Sequence, residues 1–304
     1  MSKALLADRR RDVTVVHRAA SPVRTVPKEL VHLHDPEAVL LTNWAPLGGD
    51  RYSVGARWPD SGVYGGSVPL LLAQTMRQSG LLIGHAEAAV PLSHQTLLGV
   101  MDFGVSEDFY CSGNKPDTLF ILVTVKRAGP RSLRLEQSIL SEGRPVAEAR
   151  LSFSWIAPAT YRRLRGPYAD APWGEAAPPA PLAPRTVGRV REEEVVLAPG
   201  GRPDRWQLRV DTSNLALYDH RVDHVPGLAL VEAAHQALHA TVGPDRHPVR
   251  LMCTFDRYVE FDAPCWIDAA VVAASDEGPS HVEITGTQHG RRAFSVAMDL
   301  RRQA

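Results

Sequence analysis

Apolar and polar positions follow the same order in two stretches of the chain, and each stretch contains one long apolar run. The first run, residues 70–78, follows Val68-Pro69, and the second, residues 228–236, follows Val225-Pro226. Proline is favoured at the start of a helix, because the first amide N–H has no helical partner there. The pattern therefore predicts one buried helix in each half of the chain.

Runs rich in Val, Ile, Thr and Phe, with stretches of period-two alternation, flank both helices and predict strands. Each half is predicted to contain a strand before its helix and about four antiparallel strands after it. One long helix against a single sheet is an α+β arrangement in which the sheet can wrap the helix. The predicted strands are 51–58, 103–109, 118–125, 131–140 and 145–156 in the first half, and 205–211, 255–261, 266–273, 280–287 and 291–300 in the second.

A segment rich in proline and alanine separates the two halves. Proline fixes φ and removes a backbone donor, so residues 166–184 are predicted to form neither a helix nor a paired strand. The predicted organisation is an N-terminal extension (1–22), a first repeat (23–157), a linker (158–186) and a second repeat (187–304). An internal repeat of this size indicates a fused dimer with a pseudo-two-fold axis.

A charged loop precedes the second predicted helix, and the first helix has no counterpart to it. The loop carries four titratable side chains: Asp219, His220, Asp223 and His224. Only Gly65-Gly66-Ser67 stands at the matching place in the first half, where the connection is shorter. The second half therefore holds the better candidate for a reactive site.

The two predicted helices also differ, because only the second one carries a carboxylate. When Gln78 and Gln236 are matched, Glu232 of the second helix aligns with Gln74 of the first. A residue required for folding would be expected in both copies. The first repeat lacks both the charged loop and the carboxylate, which predicts a working site in the second repeat and a degenerate one in the first. On an apolar helix Glu232 would be desolvated, which suits a general acid or base.

Composition and charge narrow the classes of partner. The 304 residues include 34 Lys+Arg and 34 Asp+Glu, and this balance argues against a nucleic acid or an anionic membrane surface. No run approaches the roughly 20 apolar residues of a membrane span, and charges interrupt the N-terminus too early for a secretory signal. Three cysteines without a CxxC pair favour free thiols in a reducing cytoplasm. The arginine cluster at 162–165 is predicted to lie on a solvated face.

A metal site is the main chemical alternative for the charged loop. His220 and His224 are four positions apart with Glu232 nearby, which loosely resembles a zinc ligand set. Both histidines precede Pro226, however, so they do not share a helix face, and no third His or Cys stands at a familiar spacing. Neither a metal nor another cofactor is predicted. The His32-x-His34 pair is predicted to belong to an ordinary loop.

These motifs resemble a known family. Pro226-Gly227 followed by Glu232 and Gln236 is similar to the helix-start motif of hotdog-fold acyl-thioester enzymes, notably the 3-hydroxyacyl carrier-protein dehydratases. The whole chain resembles more closely the A-factor biosynthesis hotdog-repeat family of γ-butyrolactone synthases. The segments that carry this resemblance are 26–32, 39–42, 72–80, 85–95 and 219–234.

The resemblance implies a double hotdog and an acyl transfer without a cofactor. A 3-oxoacyl chain would pass from acyl carrier protein to a hydroxyl of dihydroxyacetone phosphate, and the ester would condense towards a γ-butyrolactone, butenolide or furan-type signal. The family pattern has a Glu in an Ala-Glu-Thr segment of the first helix, where this chain has Gln74. That departure agrees with a degenerate first site.

The expected mechanism places the acyl carbonyl at the start of the second helix. Backbone N–H groups near Gly227 and Leu228 would bind the developing oxyanion. Glu232 or His220 would take the proton from the attacking hydroxyl, and the loop aspartates would orient the histidines or the triose. The candidates for substrate binding are Arg77 and Arg257 for the phosphate, with Gln74, His94 and Gln95 from the first repeat.

Other functions remain open from the sequence. A hotdog dehydratase or thioesterase would keep the fold and use a β-hydroxyl or water in place of the triose, without a phosphate-binding cluster of cations. A non-catalytic module that binds an acyl ligand would not require the charged loop. Neutral charge and the lack of a helix-turn-helix pattern disfavour a DNA-binding regulator. Whether the chain forms a homodimer is also open.

Overall fold

The computed structural model describes residues 24–59, 68–106, 109, 116–171, 173–174, 176–275 and 278–302. These residues form one antiparallel sheet of 13 strands that wraps two long helices. The helices are α1 (Val68–Ala86), α2 (Pro158–Arg165) and α3 (Gly227–Val242). The strands are β1 (Arg24–Thr25), β2 (Leu41–Gly48), β3 (Arg51–Arg57), β4 (Gln95–Val105), β5 (Thr118–Gly129), β6 (Ser132–Ser141), β7 (Arg144–Ile156), β8 (Leu197–Arg202), β9 (Arg205–Leu208), β10 (Arg246–Phe255), β11 (Trp266–Ser275), β12 (Gly278–Gln288) and β13 (Arg291–Arg302).

The two halves contribute adjacent blocks to this sheet. The strand order is β1-β2-β3-β5-β6-β7-β4-β10-β13-β12-β11-β9-β8. Read from its outer edge, the first block runs β2-β3-β5-β6-β7-β4, and the second repeats that order as β8-β9-β11-β12-β13-β10. The blocks meet where β4 pairs with β10, with Gly104 opposite Arg250 and Val100 opposite Thr254. The predicted pseudo-two-fold axis therefore passes through this pairing.

Hydrogen bonds confirm that Gln78 and Gln236 occupy matching positions. Each side-chain amide accepts from one backbone N–H and donates to one backbone carbonyl in the segment that precedes its repeat's first long strand. The bonded groups are Leu40 N (2.9 Å) and Ala38 O (2.9 Å) for Gln78, and Val196 N (2.9 Å) and Glu194 O (2.7 Å) for Gln236. Gln74 and Glu232, four positions earlier, are therefore also equivalent.

Both long helices are buried on nearly all sides. In α1 the buried positions include 70–76 and 78–84, and in α3 they run from 228 to 238. Such a helix has no solvated face, which explains why the sequence shows continuous apolar runs in place of a stripe. Both predicted helices are confirmed, and each extends further than its apolar run. No helix in the described ranges is long and apolar enough to span a membrane.

The segment assigned to a linker is more ordered than its composition suggests. Residues 158–165 form α2, because Pro158 stands in the first turn, where a missing N–H costs nothing. Gly166 follows with φ 54° and begins a 3₁₀ helix, Gly166–Asp170. The prediction that 166–184 contains no helix is therefore wrong for its first part. The boundaries between repeats and linker stay a prediction.

Three strands were missed, namely β2, β8 and the two-residue β1, and two were misplaced. The strands β2 and β8 contain Pro46 and Pro199, and proline within a sheet is confined to outer strands, strand starts and bulges, so it lowers the expectation of a strand. The strands predicted at 103–109 and 255–261 are observed earlier, as β4 and β10. Their first halves contain Gly99 and Pro248, which lower the strand propensity of those segments.

Two glycines of α1 should respond in opposite ways to replacement by alanine. A Cβ on Gly80 would lie 3.8 Å from its nearest neighbour, Gln137 Nε2, whereas a Cβ on Gly84 would lie 2.9 Å from Phe153 Cζ. We expect Gly80→Ala to raise the free energy of unfolding by about 0.5–1 kcal/mol through helix propensity. Gly84→Ala should lower it by about 1–3 kcal/mol through overpacking. Urea unfolding of both variants measures this difference, and equal effects would contradict the packing described.

Candidate active site

A cavity of about 1020 Å³ lies between α1 and α3, where the two repeats meet. The first turn of α3 forms one wall, and α1 and β4 of the other repeat form the opposite wall. Its apolar lining includes Leu81, Leu98, Met101, Phe153, Leu230 and Val231. This volume exceeds what a single small ligand needs, so the cavity can hold an acyl chain together with a second small molecule.

Most of the residues predicted from the sequence reach this cavity. The residues that line it are His220, His224, Asp219, Gly227, Leu228, Gln74, Arg77, Gln95 and Arg257. Asp223 stands directly behind His224. His94 and Glu232 do not belong to the lining. The site therefore combines the loop and helix start of the second repeat with the helix of the first.

Asp219 and His220 form one histidine–carboxylate pair in the cavity wall. The Asp219 carboxylate accepts the backbone N–H groups of His34 (2.6 Å) and Asp35 (2.9 Å) and lies 3.0 Å from His220 Nδ1. Burial alone would raise the pKa of Asp219, but these bonds outweigh it and lower the pKa. The ionised carboxylate accepts Nδ1–H, which leaves Nε2 of a neutral His220 as the basic nitrogen.

Asp223 and His224 form a second pair of the same kind. His224 Nδ1 lies 2.7 Å from Asp223 Oδ1. The carboxylate also accepts hydrogen bonds from the Tyr161 hydroxyl (2.7 Å) and from Arg165 Nε (3.1 Å). Burial opposes ionisation, yet the bonds from His224, Tyr161 and Arg165 lower the pKa of Asp223 to about 2. The same tautomer argument makes Nε2 the basic nitrogen of His224.

Sequence reasoning missed the residues that hold this second pair. Arg165 was predicted to be solvated, but its side chain is 3% exposed and its Nη1 and Nη2 donate to Glu260 at 2.6 and 2.7 Å. Its guanidinium also stacks over the Tyr258 ring at 4.2 Å from the centroid. The partners lie 58 and 95 positions away, so no local pattern could have identified them.

The first backbone N–H groups of α3 have no partner within the helix, and they lie at the cavity wall. Pro226 is the N-cap residue and has no side chain that could cap the helix. Ala229 N donates to Pro226 O at 2.9 Å, so Gly227 and Leu228 are the positions whose N–H groups precede the first helical bond. Both residues line the cavity. Together with the helix dipole they can stabilise a negative oxygen, and their role as an oxyanion site stays a prediction.

Glu232 does not line the cavity, although Leu230 and Val231 of the same helix do. Its side chain is 3% exposed, and Oε1 accepts from Arg189 Nε (2.8 Å) and Gln236 Nε2 (2.7 Å). Its catalytic role stays a prediction that the geometry of this cavity does not favour.

His32 and His34 were predicted to be ordinary loop residues, and the structure places both at the site. The His34 ring stacks on His220, with centroids 4.6 Å apart. His32 lines the cavity, and its Nε2 lies 2.8 Å from Nε2 of His85, whose Nδ1 donates to Val90 O. Burial first, then Arg77 and the neighbouring histidines, lower the pKa of His32 to about 3. His32 is therefore neutral, and Arg77 is the cation on this side of the cavity.

Acid should destabilise the fold through buried histidine. Burial first, and then the charge of Arg189, lower the pKa of His235 to about 3. Between pH 6.5 and about 3 the unfolded chain binds a proton that the folded chain excludes, so stability falls as pH falls, by up to about 1.4 kcal/mol per unit. We expect His235→Leu to flatten the dependence of unfolding free energy on pH. Equal slopes for variant and wild type in urea titrations at pH 6.5 and 5 would refute this.

Among the described residues, no group of three or more His, Cys, Asp and Glu side chains is placed to hold a metal ion. The two histidine–carboxylate pairs, the open helix start and the apolar cavity instead suit general base catalysis on an activated carbonyl.

The fold and the position of the cavity identify the structural class of the protein. It is a double hotdog with its cavity at the junction of the two repeats. The solved structures of a 12:0-ACP thioesterase from Umbellularia californica and an acyl-ACP thioesterase from Bacteroides thetaiotaomicron share this fold. Their TM-scores are 0.54 and 0.51 at 12% and 9% identity, covering 85% and 83% of this chain and 100% and 98% of theirs. At such identity the likeness concerns the fold alone.

The family follows from the sequence matches. The model of the A-factor biosynthesis hotdog domain matches residues 16–157 and 173–301, and the chain belongs to this family. A 2-oxo-3-(phosphooxy)propyl 3-oxoalkanoate synthase of Streptomyces virginiae is 38% identical, over 91% of this chain and 98% of its own length. A synthase of the same name from Streptomyces coelicolor is 34% identical, over 94% of both chains.

Proposed function

We propose that the protein is an acyltransferase that joins a 3-oxoacyl thioester to dihydroxyacetone phosphate, giving a 2-oxo-3-(phosphooxy)propyl 3-oxoalkanoate. Relatives that match nearly the whole chain carry the name of this reaction. The observation that carries the proposal is one cavity in which a histidine–carboxylate pair, an open helix N-terminus and Arg77 face a common space.

The acyl group occupies the apolar part of the cavity, with its thioester carbonyl at the start of α3. The N–H groups of Gly227 and Leu228 then stabilise the oxyanion that forms on attack, and one such donor is worth about 3 kcal/mol. Neither of the two thiols in the described part of the chain competes as a nucleophile. Cys253 and Cys265 are buried, and burial raises the pKa of each to about 12.

His220 is assigned as the base. Its Nε2 accepts the hydroxyl proton of the triose while the hydroxyl oxygen bonds to the thioester carbonyl carbon. The C–S bond then breaks, and the proton passes from His220 to the departing thiolate. Asp219 holds the tautomer and stabilises the imidazolium that forms in between. Glu232 is not assigned this step, because Arg189 and Gln236 already bind its carboxylate outside the cavity.

Arg77 binds the phosphate. It lines the cavity on the α1 side, close enough to His32 to lower the pKa of that ring. A phosphate dianion there gains a charge-assisted hydrogen bond from the guanidinium. Arg257, the other candidate from the sequence, is exposed at the cavity rim.

The acyl group arrives on an acyl carrier protein. Arg257 and Arg291 are exposed at the rim, and neither guanidinium has an ion-pair partner among the described residues. Two open cations beside the opening suit an acidic carrier by electrostatic complementarity. Both repeats belong to one chain, so the site needs no homodimer. We propose a cytoplasmic location, which a carrier-bound substrate and cysteines without a CxxC pair support.

Incubation of the purified protein with a 3-oxoacyl carrier protein and dihydroxyacetone phosphate, followed by mass spectrometry, tests the function. A phosphorylated acyl ester that requires both substrates is the expected result. Free 3-oxo acid formed equally well without the triose would make the protein a thioesterase. Retained substrate without turnover would make it a binding module.

A further inference from the structure

Two histidines of the first repeat bond to each other at the edge of the cavity, and the second repeat has glycine in both places. His32 ends the 3₁₀ helix Lys28–Val31, and Gly188 ends the matching helix of the second repeat. When α1 and α3 are aligned through their buried glutamines, His85 corresponds to Gly243. The second repeat folds without either imidazole ring, so folding does not explain why the first repeat has both. The proposed acyl transfer gives neither ring a task.

The hydrogen bonds of this pair determine which ring nitrogens carry hydrogen. His85 Nδ1 lies 2.8 Å from the carbonyl oxygen of Val90, and a carbonyl only accepts, so Nδ1 carries the hydrogen. Burial lowers the pKa of His85 and outweighs the effect of that carbonyl, so the ring is neutral and its Nε2 is an acceptor. His32 Nε2 lies 2.8 Å from it and therefore donates. A neutral His32 then has its lone pair on Nδ1.

The Nδ1 atom is the ring nitrogen of His32 that the cavity can reach. His32 lines the cavity and His85 does not, so Nε2 faces the protein. The structure records no hydrogen bond between Nδ1 and the described residues, and Nδ1 is not one of their buried polar atoms without a partner. The cavity thus presents a hydrogen-bond acceptor on its Arg77 side, since the charge of Arg77 acts on the same ring.

An acceptor beside a cation selects the protonation state of a bound anion. A fully ionised phosphate offers only acceptors, whereas a phosphate that carries one proton also offers a P–O–H donor. We propose that His32 is a second phosphate ligand of the site, and that the bound phosphate shares one proton with its Nδ1, while His85 is the positioning residue that keeps this nitrogen free of hydrogen. The inference rests on the proposed acyl transfer, which brings a triose phosphate to Arg77.

The phosphate brings the shared proton, because the free ring binds one poorly. Burial first, then Arg77, His85 and His220, lower the pKa of His32 to about 3. These are the titratable and charged groups that act on the ring from α1 and from the loop before α3. The second pKa of a phosphate monoester is about 6, so at neutral pH the phosphate takes up a proton far more readily than His32 does. The complex therefore holds one proton more than the separate dianion and protein.

The variant His32→Gly removes the ring and keeps the backbone. Glycine stands at the matching turn of the second repeat with φ 67°, so it adopts the φ of 54° at position 32 without strain. Urea unfolding should show at least wild-type stability. We expect the dissociation constant for dihydroxyacetone phosphate, measured by calorimetry without thioester, to rise about 10–100-fold, as for the loss of one hydrogen bond to a charged group. His281→Gln, outside the cavity on β12, is the matched control and should bind as the wild type does.

The dependence of binding on pH reports the shared proton directly. Because one proton is taken up with the dianion, affinity falls as pH rises, and the wild-type dissociation constant should increase about tenfold from pH 7.5 to 8.5. In His32→Gly this dependence should disappear. In His85→Leu the hydrogen of His32 is free to move to Nδ1 and donate to the dianion, so binding should persist with most of its pH dependence lost. A merely structural role for His85 would weaken binding equally at every pH.

Three outcomes would overturn the inference. They are absence of triose phosphate binding in the wild type, binding by His32→Gly as tight as in the wild type, and a tenfold pH dependence that persists in His32→Gly. The last would assign the shared proton to His220. A wild type that binds the triose phosphate with the expected pH dependence but forms no ester from a 3-oxoacyl thioester would refute the proposed acyl transfer and leave the phosphate subsite standing.

Discussion

Replacing His220 by glutamine is expected to lower the rate of ester formation by about 10²–10⁴-fold, the contribution of a positioned general base. Glutamine keeps a similar length and polarity but cannot take the hydroxyl proton. The ring stacks on the exposed His34, and the Asp219 carboxylate keeps its hydrogen bonds from the His34 and Asp35 N–H groups when the ring is replaced, so the melting temperature should change little. Initial rates at saturating thioester and triose measure the effect.

Two comparisons separate a base from a merely positioning residue. His94→Gln makes the same chemical change outside the cavity and should keep wild-type turnover. Asp219→Asn should also lower the rate, since the amide can no longer hold Nδ1–H and the wrong tautomer becomes accessible. Turnover of His220→Gln above half the wild-type rate, with loss of ester formation in His224→Gln, would move the base to His224.

The sequence was sufficient for the fold class, for the family and for one wall of the site. The confirmed hotdog repeat rests on local signals: continuous apolar runs for two buried helices, and Val-Pro pairs that start them. The match of Gln78 with Gln236 also came from spacing alone, and the identical hydrogen bonds confirm it. The predicted function agrees with the names that the relatives carry.

The residues that hold the site in place could not be predicted, because their roles depend on contacts between distant segments of the chain. Arg165 looks like one member of a surface arginine cluster until Asp223 and Glu260 are brought against it. His32 offered a fainter signal. It ends the 3₁₀ helix Lys28–Val31 with φ 54°, where Gly188 ends the matching helix with φ 67°. A histidine kept in a conformation that favours glycine indicates a requirement for its ring.

The Glu232 carboxylate shows how a difference between two repeats can have more than one cause. The carboxylate is present in one repeat and absent from the other, and the sequence interpretation linked it to the charged loop. The 3₁₀ helices that end at His32 and Gly188 make Leu33 and Arg189 equivalent. The second repeat thus has Arg189 with Glu232, and the first has Leu33 with Gln74. The ion pair between Arg189 and Glu232 is therefore a second explanation, beside the charged loop, for a carboxylate that only the second repeat has.

Glu232→Ala is therefore expected to destabilise the protein by about 3–5 kcal/mol, whatever its effect on catalysis. Removal of the carboxylate leaves the Arg189 guanidinium, which is 16% exposed, without its counter-charge, and an uncompensated buried charge carries a cost of this size. Denaturant unfolding measures the loss. An unfolding free energy within about 1 kcal/mol of wild type would show that Arg189 reaches solvent or another partner.

A double variant separates stability from chemistry at this position. Arg189→Leu with Glu232→Gln reproduces the Leu33 and Gln74 pair of the first repeat, so no buried charge is left without a partner. We expect it to recover most of the stability that Glu232→Ala loses, because well-packed replacements of a buried ion pair are often neutral. If His220 is the base, the double variant also keeps ester formation within a few fold of wild type. A stable double variant without turnover would instead assign a catalytic role to Glu232, since its fold would be intact and only the carboxylate and its partner would be missing.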